Sequence, residues 1–493
     1  MFLRLLAAFI AGSCMPLAFA PFSFWPVVIL SPAVLIYQMT FMQAAKQSFW
    51  LGWVYGLGYF GFGVYWLYHS MQVYGHAPVF VAAALTALMI VTLSTFVALT
   101  LTIYYHLLKA SPGAVALWTL PLLWFAMEWS KGWVLTGFPW LSVGYAHIDS
   151  PLAGYAPLLG VYGLSAISIF ISLGLAVGLQ HRKLWVIPVI LLLAAGGYLL
   201  KGLGWSKETG NPLNITMVQG NIPQELKWQK DAREKIIGLY WNTSQDYWAS
   251  DLIVWPEVAI PGRSEDLESD YLLPMSIVAS EKGSNLLTGI VVSDWLRRVY
   301  YNSMLLMGEH QGVYHKRHMV PFGEYMPFRS MLEFMRNYIK IPMSDMKAGP
   351  LQQPLMSVNE VKLGVSICYE DVFSRDINRD LPGANILINT SNDAWFGDSL
   401  APHQHLEIAQ MRALETARPL VRSTNTGRSA FIDHHGRITD ATEQFKAQTL
   451  TAEIQGRSGA TPFIYFAVIQ PYLATSILFL AAFFWLRAKR ISH

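Results

Sequence analysis

Of the 35 basic and 32 acidic side chains in this 493-residue chain, residues 1–200 hold only eight: Arg4, Lys46, Lys109, Glu128, Lys131, Asp149, Arg182 and Lys183. A tract so long and so poor in charge is solvated by lipid rather than by water. Apolar runs able to enter a bilayer fall at residues 5–20, 22–37, 49–68, 79–105, 114–127, 158–179 and 184–200, with an eighth at 463–485. The composition agrees: 53% hydrophobic residues and a mean hydropathy of +0.33 are too apolar for a soluble enzyme of this size.

The first run imitates a signal peptide, with Arg4 ahead of it and Ala18-Phe19-Ala20 behind. Pro21 then follows the point of cleavage, where it disfavours processing, so the run reads as a retained helix. Ala11-Gly12-Ser13-Cys14 imitates a lipoprotein processing site, but Ala stands where Leu is typical and more membrane follows; Cys14 reads as a small packed residue. Basic residues collect on the cytoplasmic side of short loops. Arg4, Lys46, Lys109, the His181-Arg182-Lys183 triplet and Arg487, Lys489 and Arg490 fall at the N-terminus, after spans two, four and six, and after the last span. Seven spans from a cytoplasmic start carry the chain outside near residue 201. The expected organisation is therefore a membrane domain at 1–206, a periplasmic catalytic domain at 207–459, and an eighth span with a cytoplasmic tail at 460–493.

Three stretches of the outer domain carry chemistry. The apolar strand in VKLGVSICYEDVF, residues 361–373, ends on Cys368 and turns at once into Tyr369, Glu370 and Asp371. Cys368 is one of two cysteines in the chain, so no disulfide or zinc cage encloses it. Alone it reads as a core cysteine, a common fate of the free thiol. A second strand, in DLIVWPEVAIP at 251–261, ends on Glu257, and Lys316 follows a third strand and its hairpin. A thiol, a carboxylate and an ammonium, each at a strand end, form a working nucleophile set: the carboxylate takes the thiol proton and the ammonium favours the thiolate. Further strands are predicted at 214–219, 285–292, 301–307, 384–389, 420–423 and 430–433, and helices at 231–249 and 403–417, which is the rhythm of an α/β layer structure.

The order WPE, YHKRHMVPFGEY and ICYED resembles the nitrilase, or carbon-nitrogen hydrolase, superfamily and its Glu-Lys-Cys triad. Its amidases usually continue with Arg-Phe-Pro after the cysteine motif, where this chain has Asp371-Val372-Phe373. VPFGEYMP, SNDAWFG at 391–397, RPLVRSTNTG at 418–427 and the membrane motif EWSKGWVLTGFPW at 128–140 resemble instead the apolipoprotein N-acyltransferase family, over nearly the whole chain. The resemblance implies an α-β-β-α sandwich and ping-pong acyl transfer in the bacterial inner membrane. It also implies Glu257, Lys316 and Cys368 as the triad and Glu324 and Glu370 as supporting carboxylates that orient Lys316 and hold the acceptor amine. The implied substrates are a phospholipid donor, phosphatidylethanolamine, and a diacylated apolipoprotein acceptor.

Other residues divide between functional and plain readings. Tyr369 beside the thiol is a supporting residue or simple wall. Trp228, in GNIPQELKW, would be hidden in a soluble domain and fits a lid over a lipid substrate. Trp140 ends a Gly- and Trp-rich tract that suits an interfacial anchor lining the acyl pocket. Glu128 and Lys131, three apart, either pair on one helix face or reach the headgroups. The pairs His403/His405 and His434/His435 lack a third ligand at helical spacing, so no metal is expected, nor any other cofactor. An amidase tethered to the membrane would use the same triad with water, but leaves eight spans unexplained. A transporter would need paired polar groups at mid-bilayer depth, and nucleic-acid binding a basic stripe.

Overall fold

The computed structural model describes residues 1–110, 114–182, 186–294, 296–325 and 346–491. The chain forms two compact units: Met1–Tyr68, Ala82–Leu203 and Tyr465–His493 in one, His69–Val81 and Gly204–Ile464 in the other.

The apolar runs are helices, at Phe2–Cys14, Val27–Met39, Ala45–Gly63, Val79–Ala110, Ala114–Lys131, Ala156–His181, Val186–Leu200 and Pro462–Ile491, and all but the first residues of the fourth and the last of these belong to the first unit. Lys183 and the start of the seventh run lie outside the described residues. Val79–Ala110, Pro151–His181 and Pro462–Phe483 are long and apolar enough to cross a membrane. Phe2–Cys14 and Val27–Met39 have 13 residues each. A helix of that length rises roughly 20 Å, against a hydrocarbon core of roughly 30 Å. Large apolar side chains point outward, as at Leu192 and Phe479, which is the surface of a protein solvated by lipid.

Close helix packing rather than burial from water holds such a unit together. A Cβ added at Gly12 would collide with the Tyr55 carbonyl, and one at Gly58 with the Phe9 carbonyl and Ser13, so the first and third helices touch backbone to backbone. Serines tie the second helix to its neighbours: Ser31 donates to the Ala11 carbonyl at 2.7 Å, and Ser172 to the Ile29 carbonyl at 2.8 Å. Glu128 and Lys131 are both buried. Glu128 accepts from the Trp124 indole at 3.1 Å and the Val143 amide at 2.9 Å, while the Lys131 ammonium lies 5.4 Å from the Phe60 ring centre. Neither reaches for headgroups; their partners are inside the unit.

Among the described residues, the second unit contains two six-stranded sheets. In chain order the strands are β1 (Leu213–Gln219), β2 (Leu252–Val254), β3 (Asn285–Asp294), β4 (Val299–Gly308), β5 (Gly312–His315), β6 (Met356–Val358), β7 (Val361–Ile367), β8 (Ile386–Ser391), β9 (Leu420–Thr424), β10 (Ala430–Ile432), β11 (Ile438–Ala441) and β12 (Gln448–Ile454). One sheet runs β12-β1-β2-β3-β4-β5 and the other β11-β10-β9-β8-β7-β6. Both use one plan, in which three sequential parallel strands are followed by two antiparallel ones. Thr390 on β8 meets the Met304 sulfur on β4 at 3.1 Å, and Ser423 on β9 donates to the Val254 carbonyl on β2, so the sheets lie face to face.

Helices cover the outer faces. Ile236, Ile237 and Tyr240 of helix Lys230–Ser244 pack with Ile253, Trp255, Leu286 and Ile290. Leu406, Ala409 and Ala413 of helix Ala401–Thr416 pack with Leu387, Leu420 and Ile432. The result is the four-layer sandwich expected above. A short ribbon, Lys207–Glu208 against Arg457–Ser458, joins the two ends of the unit.

Replacing Gly12 by Val should wedge the first and third helices apart, at a cost of about 2 kcal/mol. Thermal unfolding in detergent should show a lowered midpoint for Gly12→Val. It should not fall for Gly61→Ala, whose Cβ would meet nothing within 4 Å and whose alanine suits a helix better than glycine.

Candidate active site

Cys368, Glu257 and Lys316 come from three different strand ends and meet at one edge of the paired sheets. β7 closes at Ile367, and Cys368 opens a tight helical turn, Cys368–Val372, with φ of 53°. A side chain in that left-handed region is strained, a cost of order 1–3 kcal/mol borne where the surroundings fix the geometry. Here Glu370 fixes it. Its carboxylate accepts from the Ile367 amide at 2.6 Å, from the Arg317 and His318 amides at 2.6 and 3.0 Å, and from the Tyr314 hydroxyl at 2.9 Å. Glu370 thus fastens the nucleophile turn to the loop that carries Lys316, and both its oxygens are occupied by protein donors. Burial, opposed first by Lys316 and then by these amides, pushes its carboxyl up to about 7.

Glu257 follows β2 after Trp255 and Pro256. β3 passes directly beneath it, and a Cβ at Gly289 would strike the backbone from Pro256 to Val258. The Glu257 carboxylate is almost wholly buried. One oxygen accepts from Lys316 Nζ at 3.3 Å and Asn302 Nδ2 at 2.8 Å, and the other from the Asn392 amide at 2.9 Å. Glu324 completes the cage, accepting from Lys316 Nζ at 2.9 Å, from Asn302 Nδ2 at 2.9 Å and from the Val320 amide at 2.8 Å. Burial works against the Lys316 ammonium, but Glu324, Glu257 and Cys368 outweigh it and raise its pKa, so it stays charged. Burial and the Glu257 charge push the Cys368 thiol up, and Lys316 pulls it back. At rest the thiol keeps its proton, beside a carboxylate able to take it.

The remaining predicted residues are placed as follows. Tyr369 is buried, its ring edge-on to Phe373 at 5.1 Å. Trp228 is 43% exposed, directly after the turn Gln224–Lys227. Trp140 belongs to the membrane unit, where it is buried against Trp66 at 5.2 Å and Phe138 at 6.0 Å rather than standing out as an anchor. In the same tract Trp133 is the exposed ring. Met326 and Pro327 of VPFGEYMP lie outside the described residues.

Sequence reasoning missed a group of buried polar residues around the triad. Asn302 bridges Glu257 and Glu324 from within the apolar strand β4. Behind the nucleophile turn, His405 lies 2.8 Å from Asp371 and 3.1 Å from Asp393, and Arg422 reaches the same two carboxylates at 3.1 Å each. All four are buried, and His405 Nε2 also lies 3.3 Å from the Cys368 carbonyl. A charged residue in a central strand, Arg422 on β9, is the signal that was available, because such a residue is buried only with partners. His405 was weighed as a metal ligand, whereas its ring is spent on two carboxylates.

Residues 214–463 match the family model described as carbon-nitrogen hydrolase, which sets the class of the sandwich and the cluster it holds. Residues 11–174 match the apolipoprotein N-acyltransferase N-terminal domain. Relatives named apolipoprotein N-acyltransferase include one from Methylococcus capsulatus, 37% identical over 93% of this chain and 92% of its own length. Another from Pseudomonas aeruginosa is 39% identical over 94% and 92%, and one from Vibrio parahaemolyticus is 34% identical over 99% and 98%. The chain belongs to the apolipoprotein N-acyltransferase family.

Burial and Arg422 lower the pKa of His405, but Asp371 and Asp393 outweigh them and raise it. A histidine raised on folding contributes stability below its ordinary pKa of about 6.5, and the contribution fades as pH rises through the raised value. His405→Gln should therefore lose about 3 kcal/mol at pH 6. Thermal melts from pH 6 to 9 should show its deficit against the parent narrowing as pH rises.

Proposed function

We propose that this chain is a membrane-embedded acyltransferase. It moves an acyl chain from a phospholipid, through a thioester on Cys368, to the N-terminal α-amine of diacylglyceryl-cysteine on apolipoproteins. The observation that carries this reading is the union in one chain of the acyltransferase membrane segment with a carbon-nitrogen hydrolase domain whose thiol, carboxylates and ammonium converge. In the first half-reaction Glu257 takes the Cys368 proton and the thiolate attacks the ester carbonyl. Lys316 faces the oxyanion, the C–O bond breaks, and the lysophospholipid alkoxide leaves with the proton from Glu257. In the second the acceptor amine attacks the thioester and the C–S bond breaks. The amine proton passes through Glu257 to the thiolate, leaving an amide and the free thiol. Glu324 and Asn302 hold Lys316 and Glu257 in register, and Glu370 holds the turn. Phosphatidylethanolamine is the donor, following the resemblance. Trp228 is assigned to the acyl substrate, by the apolar surface it offers, whereas Trp140, buried against Trp66 and Phe138, offers none.

The chain is a membrane protein, and we place its catalytic domain, residues 207–459, in the periplasm of a bacterial inner membrane. Eight spans are assigned: seven in residues 1–206 and one in 460–493. The support is the set of basic loop ends, which all fall on one face.

Three outcomes test these readings. Glu257→Gln, Lys316→Met and Cys368→Ala should each lower acyl transfer to a diacylated lipopeptide by at least about a thousandfold, while a double variant is little worse than the worst single one. Given phospholipid without acceptor, the enzyme should accumulate a hydroxylamine-sensitive adduct on Cys368, seen by intact-protein mass spectrometry, which discharges when lipopeptide is added. Decay to free fatty acid at the same rate with or without peptide would favour the hydrolase. For topology, a reporter fused after Ser206 should work only outside the cytoplasm and one after Lys183 only inside.

A further inference from the structure

Lys227 is a second buried ammonium in the site, and nothing above uses it. It closes the single turn Gln224–Lys227 and is 3% exposed. Its Nζ donates to the main-chain carbonyl of Glu257 at 3.0 Å. The segment that carries it is fastened to the same place by a second route. Asn425 takes the Ile222 amide at 2.9 Å and donates to the Ile222 carbonyl at 2.8 Å. Asn392, whose amide serves the Glu257 carboxylate, donates through its side chain to Gln224 at 2.7 Å. The turn therefore grips the Glu257 main chain at one end and its carboxylate, through Asn392, at the other.

Burying an ammonium against one neutral carbonyl is costly, so its retention calls for a charge to answer. The groups that face it with negative charge are Glu257 and, once ionised, Cys368, while burial depresses its own pKa to about 8. The other ionised groups around the thiol already have partners. Asp393 is met by Arg422 at 3.1 Å, and Glu370 by the amides and hydroxyl described above. Glu257 and Glu324 share Lys316 between them. With Lys227 counted, two cations balance the Glu257 and Glu324 carboxylates, and moving the thiol proton to Glu257 leaves that set neutral; Glu370, its carboxyl pushed up by burial to about 7, adds negative charge in its ionised form and deepens the need for a second cation. Without it the buried cluster carries an uncompensated negative charge both before and after that transfer.

We propose that Lys227 is a positioning residue for thiolate formation: it holds Glu257 through the main chain and supplies the charge that lets the thiolate exist in a buried site. This rests on the acyl-transfer reading for its role in the cycle, but the charge assignment can be measured without turnover. In a Cys14→Ala background, Cys368 is the one remaining thiol. The full-length protein in lipid nanodiscs is treated with iodoacetamide at pH 7, below the depressed value of about 8 for Lys227, and the rate of alkylation is followed by intact-protein mass spectrometry. Lys227→Met should slow alkylation about tenfold. It should also slow thioester formation from phospholipid about tenfold at the same pH, with KM changed less than about twofold. Lys227→Arg, which keeps the charge, should keep the parent's rate. Equal alkylation rates for Lys227→Met and the parent would overturn the assignment, as would an Arg variant slowed as far as the Met variant. If Lys227→Met fails to fold, Lys227→Gln carries the same comparison. A parent that is alkylated yet forms no thioester would sink the acyl-transfer reading alone, and the alkylation rates of the Lys227 variants would still decide the charge assignment.

Discussion

The Lys316 ammonium, buried between Glu257 and Glu324, is the interaction around which the catalytic unit is arranged. Two carboxylates removed from water repel each other and lose hydration, and one cation with fixed donors on either side makes the arrangement tolerable. That requirement reaches far into the fold. It places Asn302 within an apolar strand, sets the Asn392 amide against the base, and demands a glycine at position 289 so that β3 can pass under Glu257. The thiol stays protonated at rest because burial, and then the Glu257 carboxylate, oppose a further negative charge there.

The nucleophile turn shows how strain and hydrogen bonding are divided. Cys368 sits in a backbone conformation that a side chain disfavours, and Glu370 draws three amides and a hydroxyl together to hold it there. Glu370 is thereby a structural clamp with catalytic consequences, since it also fixes the loop after β5 from which Lys316 projects. On the opposite side the Asp371–His405–Asp393–Arg422 network supports the turn from behind. Its carboxylates are met by Arg422 and the His405 ring, so it stiffens the nucleophile's platform, while Asp393 adds to the negative field at the sulfur.

Much of this was legible in the sequence, for identifiable reasons. Glu257 and Cys368 each follow an apolar strand, where a change from continuous Val, Ile and Leu to polar residues marks a strand end, whereas Lys316 follows Gly-Val-Tyr-His and stood out through the family motif around it. β6 was too short, and the exposed β11, read ITDA, too polar, to carry a strand pattern. Helix Leu273–Glu281 escaped because Pro274, acceptable in a first turn, looks like a break. The shared connectivity of the two sheets leaves no trace in residue identity, because hydrogen-bond topology does not require repeated side chains. Lys227, Asn302, Asp371 and Arg422 were invisible as a group, since what unites them is proximity across sequence separations of tens to hundreds of residues. Trp140 was misjudged for the opposite reason: a Trp-rich tract suggests an interface, but only packing tells which ring is inside.

The ribbon formed by Lys207–Glu208 and Arg457–Ser458 brings the two ends of the Gly204–Ile464 segment together, while His69–Val81 enters the same unit from earlier in the chain. A domain whose ends are neighbours behaves topologically as an insertion into its host. The membrane helices on either side read as one interrupted sequence, and the sandwich as a cassette that can be rejoined head to tail by a short linker without cutting through either sheet, with His69–Val81 the part of the unit that such a cassette leaves behind.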